Sequence, residues 1–438
     1  MIFAVQLLLS LSILIVLHEG GHFLPAKLFK IRVEKFYLFF DPWFSLIKKK
    51  FKGTEYGIGW LPLGGYVKIS GMVDESMDKE QMAKPPEPWE FRSKPAWQRL
   101  IVMIGGVTVN VIVGIIIYSV ILFTHGEDVL RTENVTYGVH CNPLMYNYGF
   151  KDGDKILALD GNKPDDFMDV NKRMILDDPK QITIERSGQL MDIQLPEGFG
   201  QLLIDSGIKS GCFSPRIPFV IDTVSPGMPA SLAGVLKGDT IVGVNSYYSI
   251  FFQDVARELK KKPGEVVRLH VLRDGKSITL PVGVSKEGTI GVGHASLSKF
   301  FKIDNVSYSL AQAIPGGFRE AWETVTDYTS QLRFLFSKAG AKQVGGFVTF
   351  AKLFPPEWDW LVFWERTALI SLILAFMNIL PIPALDGGHI LFLLWEMITG
   401  KAVSQKVLES TQVVGMVLLL GLMLYGNGMD LFRLATGG

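Results

Sequence analysis

The sequence predicts a polytopic α-helical membrane protein with four transmembrane helices and two small α+β domains on the outer side of the membrane. Three observations carry this prediction. The first is a set of apolar segments that are long enough to cross a bilayer, which takes roughly 20 mostly apolar residues. The second is the position of basic residues at the ends of these segments. The third is an internal repeat between the second and third segments.

The apolar segments are spread over the whole chain of 438 residues. They are Ile2–Phe29, Ala96–Phe123, Thr367–Trp395 and Gln412–Phe432. No Lys or Arg precedes the first segment and no small-residue cleavage site follows Leu17, so we do not expect it to be a signal peptide. Each of the segments is therefore expected to span the membrane.

Basic residues at the ends of the segments indicate the orientation. They are Lys27, Lys30, Arg32 and Lys35 after the first segment, and Arg92, Lys94 and Arg99 around the start of the second. Loops rich in Lys and Arg stay on the cytoplasmic side, so the connection between these segments is expected there. Alternation then places the N-terminus and residues 124–360 outside.

The outer region contains both cysteines, Cys141 and Cys212. An oxidising compartment would permit a disulfide between them, and two free thiols remain an equal alternative. Lys and Arg (44) balance Asp and Glu (43) over the whole chain. The bilayer is the expected partner surface, and no nucleic-acid partner is expected.

The internal repeat consists of two copies of the pattern Gly-x-x-x-Gly-Asp-x-Ile. Gly149–Ile156 is the first copy and Gly234–Ile241 is the second, and each continues into short alternating apolar strands. With Ser225–Ser231 upstream of the second copy, this pattern resembles the PDZ domains of bacterial envelope proteases. The resemblance implies two PDZ-like modules. PDZ domains bind peptides by adding a strand to a sheet edge, whereas a steric cover is an equally open role here.

The expected segments follow from these boundaries. They are residues 1–30, 96–124, 361–397 and 412–438 as transmembrane helices, 31–95 as a cytoplasmic-side membrane-associated loop, 125–211 and 212–293 as PDZ-like modules, 294–360 as an outer amphipathic region, and 398–411 as a cytoplasmic loop. The stretch from Gly317 to Trp322 has the spacing of an amphipathic helix. It is expected either to lie on the membrane surface or to pack on the PDZ-like pair.

The first apolar segment contains the motif His18-Glu19-Gly20-Gly21-His22. In a helix His18 and His22 lie on one face, one turn apart, as two imidazoles that share a zinc ion must. Glu19 beside this face is the expected general base for a water whose pKa the metal lowers. Ionisable groups at membrane depth are costly unless they line a cavity or bind something, so the motif predicts a Zn²⁺ site.

The third apolar segment contains Asn378-Ile-Leu-Pro-Ile-Pro-Ala-Leu-Asp386-Gly-Gly388, a carboxylate among helix breakers. Irregular backbone at membrane depth is tolerated only beside protein or a water-filled cavity. Asp386 would complete three protein ligands and leave one position for water, as in catalytic zinc sites. His389, three residues further on, is a rival ligand that the chemistry of the sequence does not exclude.

These motifs, in this order and with the PDZ-like pair between them, resemble the site-2 protease family of intramembrane zinc metalloproteases. The resemblance implies that Asp386 rather than His389 completes the zinc site. It implies cleavage of single-span membrane proteins, such as anti-sigma factors and remnant signal peptides, in the bacterial inner membrane. The N-terminus and the PDZ-like modules would then be periplasmic.

The resemblance also implies roles for other positions. Asn378 and Pro383 match residues implicated in holding the substrate, and Leu63–Val67 matches a membrane-reentrant strand, with Gly64, Gly65, Tyr66 and Val67 as substrate-binding residues. Asn110 matches a polar position in the second span. A glycine-rich loop of the family appears here as Phe39-Phe40-Asp41, which is a departure from the pattern.

Two other functions fit parts of the sequence. A catalytically idle PDZ scaffold would explain the repeat, but the intact set of His18, Glu19, His22 and Asp386 argues against it. A zinc transporter would explain polar groups in a broken membrane helix, but the four segments contain no visible inverted repeat. An intramembrane protease accounts for both features together.

Overall fold

The computed structural model describes residues 2–62, 64–72, 85–208, 211–335 and 345–436. These residues form two compact units. The helical unit comprises Met1–Gly126 and Ser307–Gly438, and the repeat unit comprises Glu127–Val306. Each unit is described by itself below.

The secondary structure alternates between long apolar helices and short strands. In chain order, the helices are α1 Ile2–Leu28, α2 Ala96–His125, α3 Pro143–Tyr146, α4 Val170–Leu176, α5 Phe199–Asp205, α6 Pro229–Leu232, α7 Phe252–Lys260, α8 Leu310–Leu335, α9 Phe347–Ala351, α10 Trp360–Ile379, α11 Asp386–Thr399 and α12 Gln405–Thr436. The strands are β1 Val33–Leu38, β2 Phe40–Phe51, β3 Thr54–Leu61, β4 Tyr66–Ile69, β5 Glu127–Val129, β6 Val139–Cys141, β7 Lys155–Leu159, β8 Gln181–Arg186, β9 Gln189–Gln194, β10 Phe213–Pro215, β11 Ile221–Val224, β12 Thr240–Val244, β13 Tyr247–Tyr248, β14 Val266–Arg273, β15 Lys276–Gly283, β16 Val292–His294 and β17 Asp304–Val306.

Four helices of the described chain are long and apolar enough to cross a membrane: α1, α2, α10 and α12. The predicted number of spans is thereby confirmed. The third span differs from a single helix, because the chain leaves the helical conformation after Ile379 and resumes it at Asp386. Pro381 and Pro383 lie in this break, and proline lacks the N–H that a continuous helix needs.

A four-stranded sheet lies between α1 and α2 in the sequence, with the strand order β2-β3-β1-β4. Strand β1 pairs in parallel with β3 and antiparallel with β4, where Phe36 faces Val67. Strand β4 therefore ends the sheet, and one of its edges is not paired with another strand of the described chain. Leu63 of the expected reentrant segment lies outside the described residues, and Gly64–Val67 lie within them.

Helix α8 runs along α2 and α10 inside the helical unit. A face of small residues makes this approach possible, since Ala313 and Ala321 are buried and a Cβ on Gly317 would lie 2.8 Å from the Ile115 carbonyl oxygen. Further along the helix, the Tyr328 and Phe376 rings are 5.8 Å apart. The helix within residues 294–360 is expected either on the membrane surface or on the PDZ-like pair. That expectation is wrong, because α8 packs on the apolar helices α2 and α10.

The repeat unit contains the same topology twice. The sheet β7-β8-β9 of the first module corresponds to β12-β14-β15 of the second, and helix α4 corresponds to α7. Each module has its own hydrophobic core, with Phe167 and Phe199 in the first and Val255 and Leu269 in the second. The repeat found in the sequence is therefore a repeat of structure.

The aspartate of the repeated motif makes the same contacts in both modules. Arg186 donates to Asp154 from Nε (2.7 Å) and to the Gly149 carbonyl oxygen from Nη2 (2.7 Å). In the second module, Arg273 donates to Asp239 and to the Gly234 carbonyl oxygen. These distances are 2.7 and 2.8 Å. The Arg273 guanidinium holds the pKa of the Asp239 carboxyl below its ordinary value.

The first module extends beyond the expected boundary at residue 211. Strand β10 pairs with β6, with Phe213 opposite Cys141, so that residues 213–215 close the first module. Both Cys141 and Cys212 belong to the core of that module and are free thiols. Burial raises the pKa of the Cys212 thiol to about 12, so this side chain stays protonated.

Candidate metal centre

The histidines of the first span lie in the C-terminal half of α1, within continuous helix. Their spacing of four residues places both rings on one face, with centroids 4.9 Å apart in an edge-to-face arrangement. The side chains of His18 and His22 are 13% and 9% exposed. Two imidazoles are thus shielded from solvent on a mostly apolar helix.

Glycines let α2 approach this face closely. A Cβ on Gly21 would overlap the Gly105 main chain, and a Cβ on Gly105 would overlap the Gly21 carbonyl oxygen. A Cβ on Gly106 would lie 2.7 Å from Cε1 of His18. Small residues at a crossing allow two membrane helices to pack backbone against backbone. Helix α2 therefore forms a wall against the histidine rings.

The break in the third span brings a carboxylate to the same place. The chain turns between Ile382 and Leu385, where the Leu385 N–H donates to the Ile382 carbonyl oxygen over 3.1 Å. Asp386 is the first residue of α11, a position where the helix dipole stabilises a negative charge. The next residue must be a glycine, because a Cβ on Gly387 would overlap the Leu380 carbonyl oxygen.

Three side-chain atoms meet in an equilateral triangle. The His18 Nε2, His22 Nε2 and Asp386 Oδ2 atoms are each 3.3 Å from the other two. Nitrogen and oxygen ligands lie about 2.0–2.1 Å from tetrahedral zinc, which separates them from each other by about 3.3–3.4 Å. Asp386 Oδ2 is also buried without a hydrogen-bond partner in the described chain. The triangle has the size and the donor atoms that a zinc ion needs.

Hydrogen bonds from neighbouring helices orient the rings. His22 Nδ1 is 2.8 Å from the Val102 carbonyl oxygen, which can only accept, so Nδ1 carries the proton and Nε2 presents its lone pair to the triangle. His18 Nδ1 lies 3.2 Å from the side-chain amide of Asn110, and His18 Nε2 lies 3.3 Å from the amide of Asn378. The two amides come from α2 and α10.

Glu19 lies between the triangle and strand β4. Glu19 and Val67 both line the cavity beside the triangle. A Cβ on Gly65 would lie 3.6 Å from the Glu19 Cγ and 2.5 Å from Ile15, so glycine is needed for β4 to come this near to α1. The carboxylate is therefore held beside both the triangle and the terminal strand of the sheet.

A cavity of about 330 Å³ opens beside these groups. Its polar lining is formed by His18, Glu19, His22, Asn110, Asn378, Asp386, His389 and Gln412. Apolar side chains that include Leu14, Phe40, Met72, Met103 and Leu374 complete it. The cavity combines a candidate metal ligand set with a carboxylate that can accept a proton, in surroundings that suit an apolar chain.

Comparisons with known proteins identify the family of the chain. The sequence pattern of peptidase family M50 matches residues 6–422. The chain belongs to peptidase family M50. It is 30% identical over 450 residues to the regulator of sigma-E protease RseP of Escherichia coli. The alignment covers 96% of this chain and 97% of the relative.

Further relatives of this M50 peptidase are similar over more than nine-tenths of their length. The regulator of sigma E protease of Haemophilus influenzae is 27% identical over 462 residues, covering 98% of each chain. A Campylobacter jejuni protein that carries the name of a zinc metalloprotease is 28% identical over 436 residues, covering 97% of this chain and 92% of the relative. The resemblance to the site-2 proteases is confirmed, and so is the prediction of an enzyme.

The structure of this M50 peptidase gathers most of the residues singled out in its sequence. Glu19, Asn378, Gly64, Gly65, Tyr66 and Val67 all line the cavity together with the triangle. Pro383 lies in the turn before Asp386 and is not among the residues that line the cavity. His389 lines the cavity but is not part of the triangle.

Sequence reasoning missed several residues around the cavity. The departure at Phe39–Asp41 has a structural use, because Asp41 accepts a 2.7 Å hydrogen bond from the Tyr66 hydroxyl and the Phe40 ring stacks on Tyr66. Gln412 of α12 is 6% exposed and lines the cavity. A glutamine inside an apolar span was the available signal, since polar groups at that depth are costly.

A second cluster of potential ligands occurs in the repeat unit and has another explanation. His140, Asp152 and Asp254 lie close together there. However, Arg257 Nη2 is 2.9 Å from Asp254 and its Nη1 is 3.5 Å from Asp152, while Arg216 Nη2 is 2.9 Å from Asp254. Two guanidinium groups already neutralise the carboxylates, so the cluster is an ion-pair network between the modules.

Proposed function

We propose that this chain is an intramembrane zinc endopeptidase whose ligands are His18, His22 and Asp386 and whose general base is Glu19. The observation that carries the proposal is the 3.3 Å triangle formed by two histidines of the apolar helix α1 and the first residue of α11, with the Glu19 carboxylate beside it. Zinc is the metal, as in the relative named as a zinc metalloprotease. His389 would then contribute to the cavity wall rather than to the ligand set.

The residues divide the chemistry between them. Zinc held by this triangle supplies a Lewis acid that lowers the pKa of water and polarises a carbonyl group. Glu19 accepts the proton from the attacking water and then donates it to the leaving amine nitrogen. Its place in the cavity beside the triangle would put the carboxylate within reach of both the water and the leaving nitrogen.

A substrate segment would bind along strand β4. A transmembrane helix hides its carbonyl groups in internal hydrogen bonds, so the scissile segment must be extended before water attacks. The free edge of β4 offers main-chain partners to an extended chain. Gly64, Gly65, Tyr66 and Val67 are the proposed strand-binding residues, and Asn378 and Pro383 are proposed to hold the substrate from the opposite side.

The proposed substrates are single-span membrane proteins, such as anti-sigma factors, and remnant signal peptides. The enzyme would act in the inner membrane of a bacterium, as the bacterial relatives and the apolar helices indicate. The basic residues near the first two spans support an N-terminus and a repeat unit on the periplasmic side. The two modules, read as PDZ-like, would control which substrates reach the site.

Zinc analysis combined with the Glu19→Gln variant tests the chemistry. The purified wild-type protein is expected to hold about one zinc per chain, since a three-ligand site takes one ion. Glu19→Gln keeps both the size of the side chain and the ligands, so it should retain the zinc and lose cleavage of a single-span substrate. A fully active Glu19→Gln protein, or an active protein without metal, would disprove the mechanism.

A further inference from the structure

Two polar groups of α2 contact the histidines of the triangle: the Val102 carbonyl contacts His22, and the Asn110 side chain contacts His18. We propose that the side-chain amide oxygen of Asn110 accepts a hydrogen bond from Nδ1–H of His18 and thereby selects the tautomer that binds zinc. Asn110 is then a positioning residue, since it acts through His18. The inference rests on the proposed function, in which His18 binds zinc through Nε2.

The first observation is the direction of the His18 ring. Its Nε2 atom is a corner of the ligand triangle, and its Nδ1 atom points away from it toward Asn110, 3.2 Å from the Asn110 side-chain nitrogen. A neutral imidazole that binds a metal through Nε2 carries its proton on Nδ1. That proton needs an acceptor, because a hydrogen bond to the nitrogen that faces away from the metal fixes the ring of a metal-bound histidine.

The second observation is that the Asn110 amide has an unused acceptor. The Asn110 side chain is fully buried, and its Oδ1 atom has no hydrogen-bond partner in the described chain. The oxygen and nitrogen of an amide have nearly the same size, so hydrogen bonding decides which of them faces a neighbour. Turning the amide by half a rotation places Oδ1 at the His18 Nδ1–H and breaks no hydrogen bond made by Oδ1.

His22 is held in the same way. The Nδ1–H of His22 donates to the carbonyl oxygen of Val102 over 2.8 Å. Val102 and Asn110 are eight residues apart in α2, so they lie on the same helix face and meet the two histidines of the opposing helix in turn. Helix α2 would thus supply one acceptor to each ligand, a main-chain carbonyl for His22 and a side-chain oxygen for His18.

The main-chain position of Asn110 is held separately. The Ser371 hydroxyl of α10 donates to the Asn110 carbonyl oxygen over 2.7 Å. Ser371→Ala removes a buried hydrogen bond at the same residue and leaves the amide untouched. This variant is the matched control, because a general loss of packing around Asn110 would affect it as well.

The experiment measures zinc affinity of the full-length protein in detergent by competition with a chelator. Asn110→Leu and Asn110→Ala remove the acceptor. We expect both to weaken zinc binding about 10- to 100-fold, as is usual when a metal-bound histidine loses the hydrogen-bond partner of its other nitrogen. Asn110→Asp offers only acceptor oxygens and should bind zinc at least as tightly as the wild type. Ser371→Ala should also match the wild type.

Two results would overturn the inference. If Asn110→Asp weakened zinc binding as much as Asn110→Leu, the amide would be donating to His18 rather than accepting. If Asn110→Leu and Asn110→Ala both bound zinc like the wild type, Asn110 would not position His18. In either case the wild type still binds zinc and the proposed function stands, whereas a wild-type protein that holds no zinc would reject the proposed function itself.

Discussion

Asp386 reaches the ligand triangle because of the residues that precede it. Pro381 and Pro383 interrupt the third span, and Ala384 adopts a left-handed conformation with φ of 75°. An L-residue rarely takes this conformation, which turns the chain sharply before α11 begins. Without the break, a residue in this segment would continue a helix, and its carboxylate would not return to the face of His18 and His22.

At the scale of single residues, the question whether Asp386 or His389 is the third ligand leads to a prediction. Asp386→Ala removes one corner of the triangle and should lose zinc during dialysis against a chelator. His389→Ala removes a side chain that lines the cavity outside the triangle, so it should retain zinc under the same conditions. Metal analysis of both purified variants decides, and the opposite ranking would make His389 the third ligand.

At the scale of elements, the crossing of α1 and α2 positions the site. The two helices meet at Gly21 and Gly105, where the main chains are in direct contact. This approach places Val102, Gly106 and Asn110 against the histidine rings. The geometry of the ligand set therefore depends on residues that contribute no ligand.

The two glycines of the His18–His22 motif provide a matched test of this crossing. Gly21→Ala should force the helices apart, because the new Cβ would meet only main-chain atoms of Gly105 and Gly106, and we expect a lower melting temperature and weaker zinc binding. In the Gly20→Ala variant the new Cβ would have no atom within 4 Å. Alanine is a better helix former than glycine, so this change favours the helix by about 1 kcal/mol. The Gly20→Ala protein should melt no lower than the wild type.

Thermal unfolding in detergent and zinc analysis measure both effects. Equal behaviour of the Gly20→Ala and Gly21→Ala proteins would show that the close approach of α1 and α2 does not determine the site. A Gly21→Ala protein with wild-type zinc affinity but a lower melting temperature would separate the stability of the crossing from the position of His22.

At the scale of the whole molecule, the repeat unit is a compact insertion between two parts of the helical unit. Its first and last strands, β5 and β17, pair antiparallel, with Glu127 opposite Val306. Residues that face each other in such a pair have Cα atoms about 4.5–5.5 Å apart. The unit therefore begins and ends at one place, where a short linker can replace it.

This geometry allows a direct test of the proposed substrate filter. Replacing residues 128–305 by a short Gly-Ser linker should admit full-length membrane substrates with bulky outer domains, while pre-trimmed substrates are cut at a similar rate. A shorter excision of residues 130–290 would leave β16 without its partner β11. Cleavage of one full-length and one trimmed substrate, each with a Glu19→Gln control in the excised protein, measures the effect.

Two outcomes would contradict the filter. If the modules deliver substrates by adding a strand to a sheet edge, the excised protein would cut trimmed substrates more slowly and admit no new ones. A general loss of cleavage in an excised protein that still binds zinc would also reject the filter, because the helical unit would then need the modules for catalysis itself.

The sequence by itself determined the features that depend on local periodicity. Four apolar runs, the helical spacing of His18 and His22, the prolines before Asp386 and the repeated Gly-x-x-x-Gly-Asp motif each specify an element through residues that are close in the chain. Only the tertiary structure decided which distant groups meet. The proximity of Asp386 Oδ2 to both histidines, the contact of Asn110 with His18 and the position of Gln412 in the cavity depend on how helices cross. The physical reason is that a crossing is set by packing between main chains, as at Gly21 and Gly105, and no periodicity within one segment encodes the partner of another.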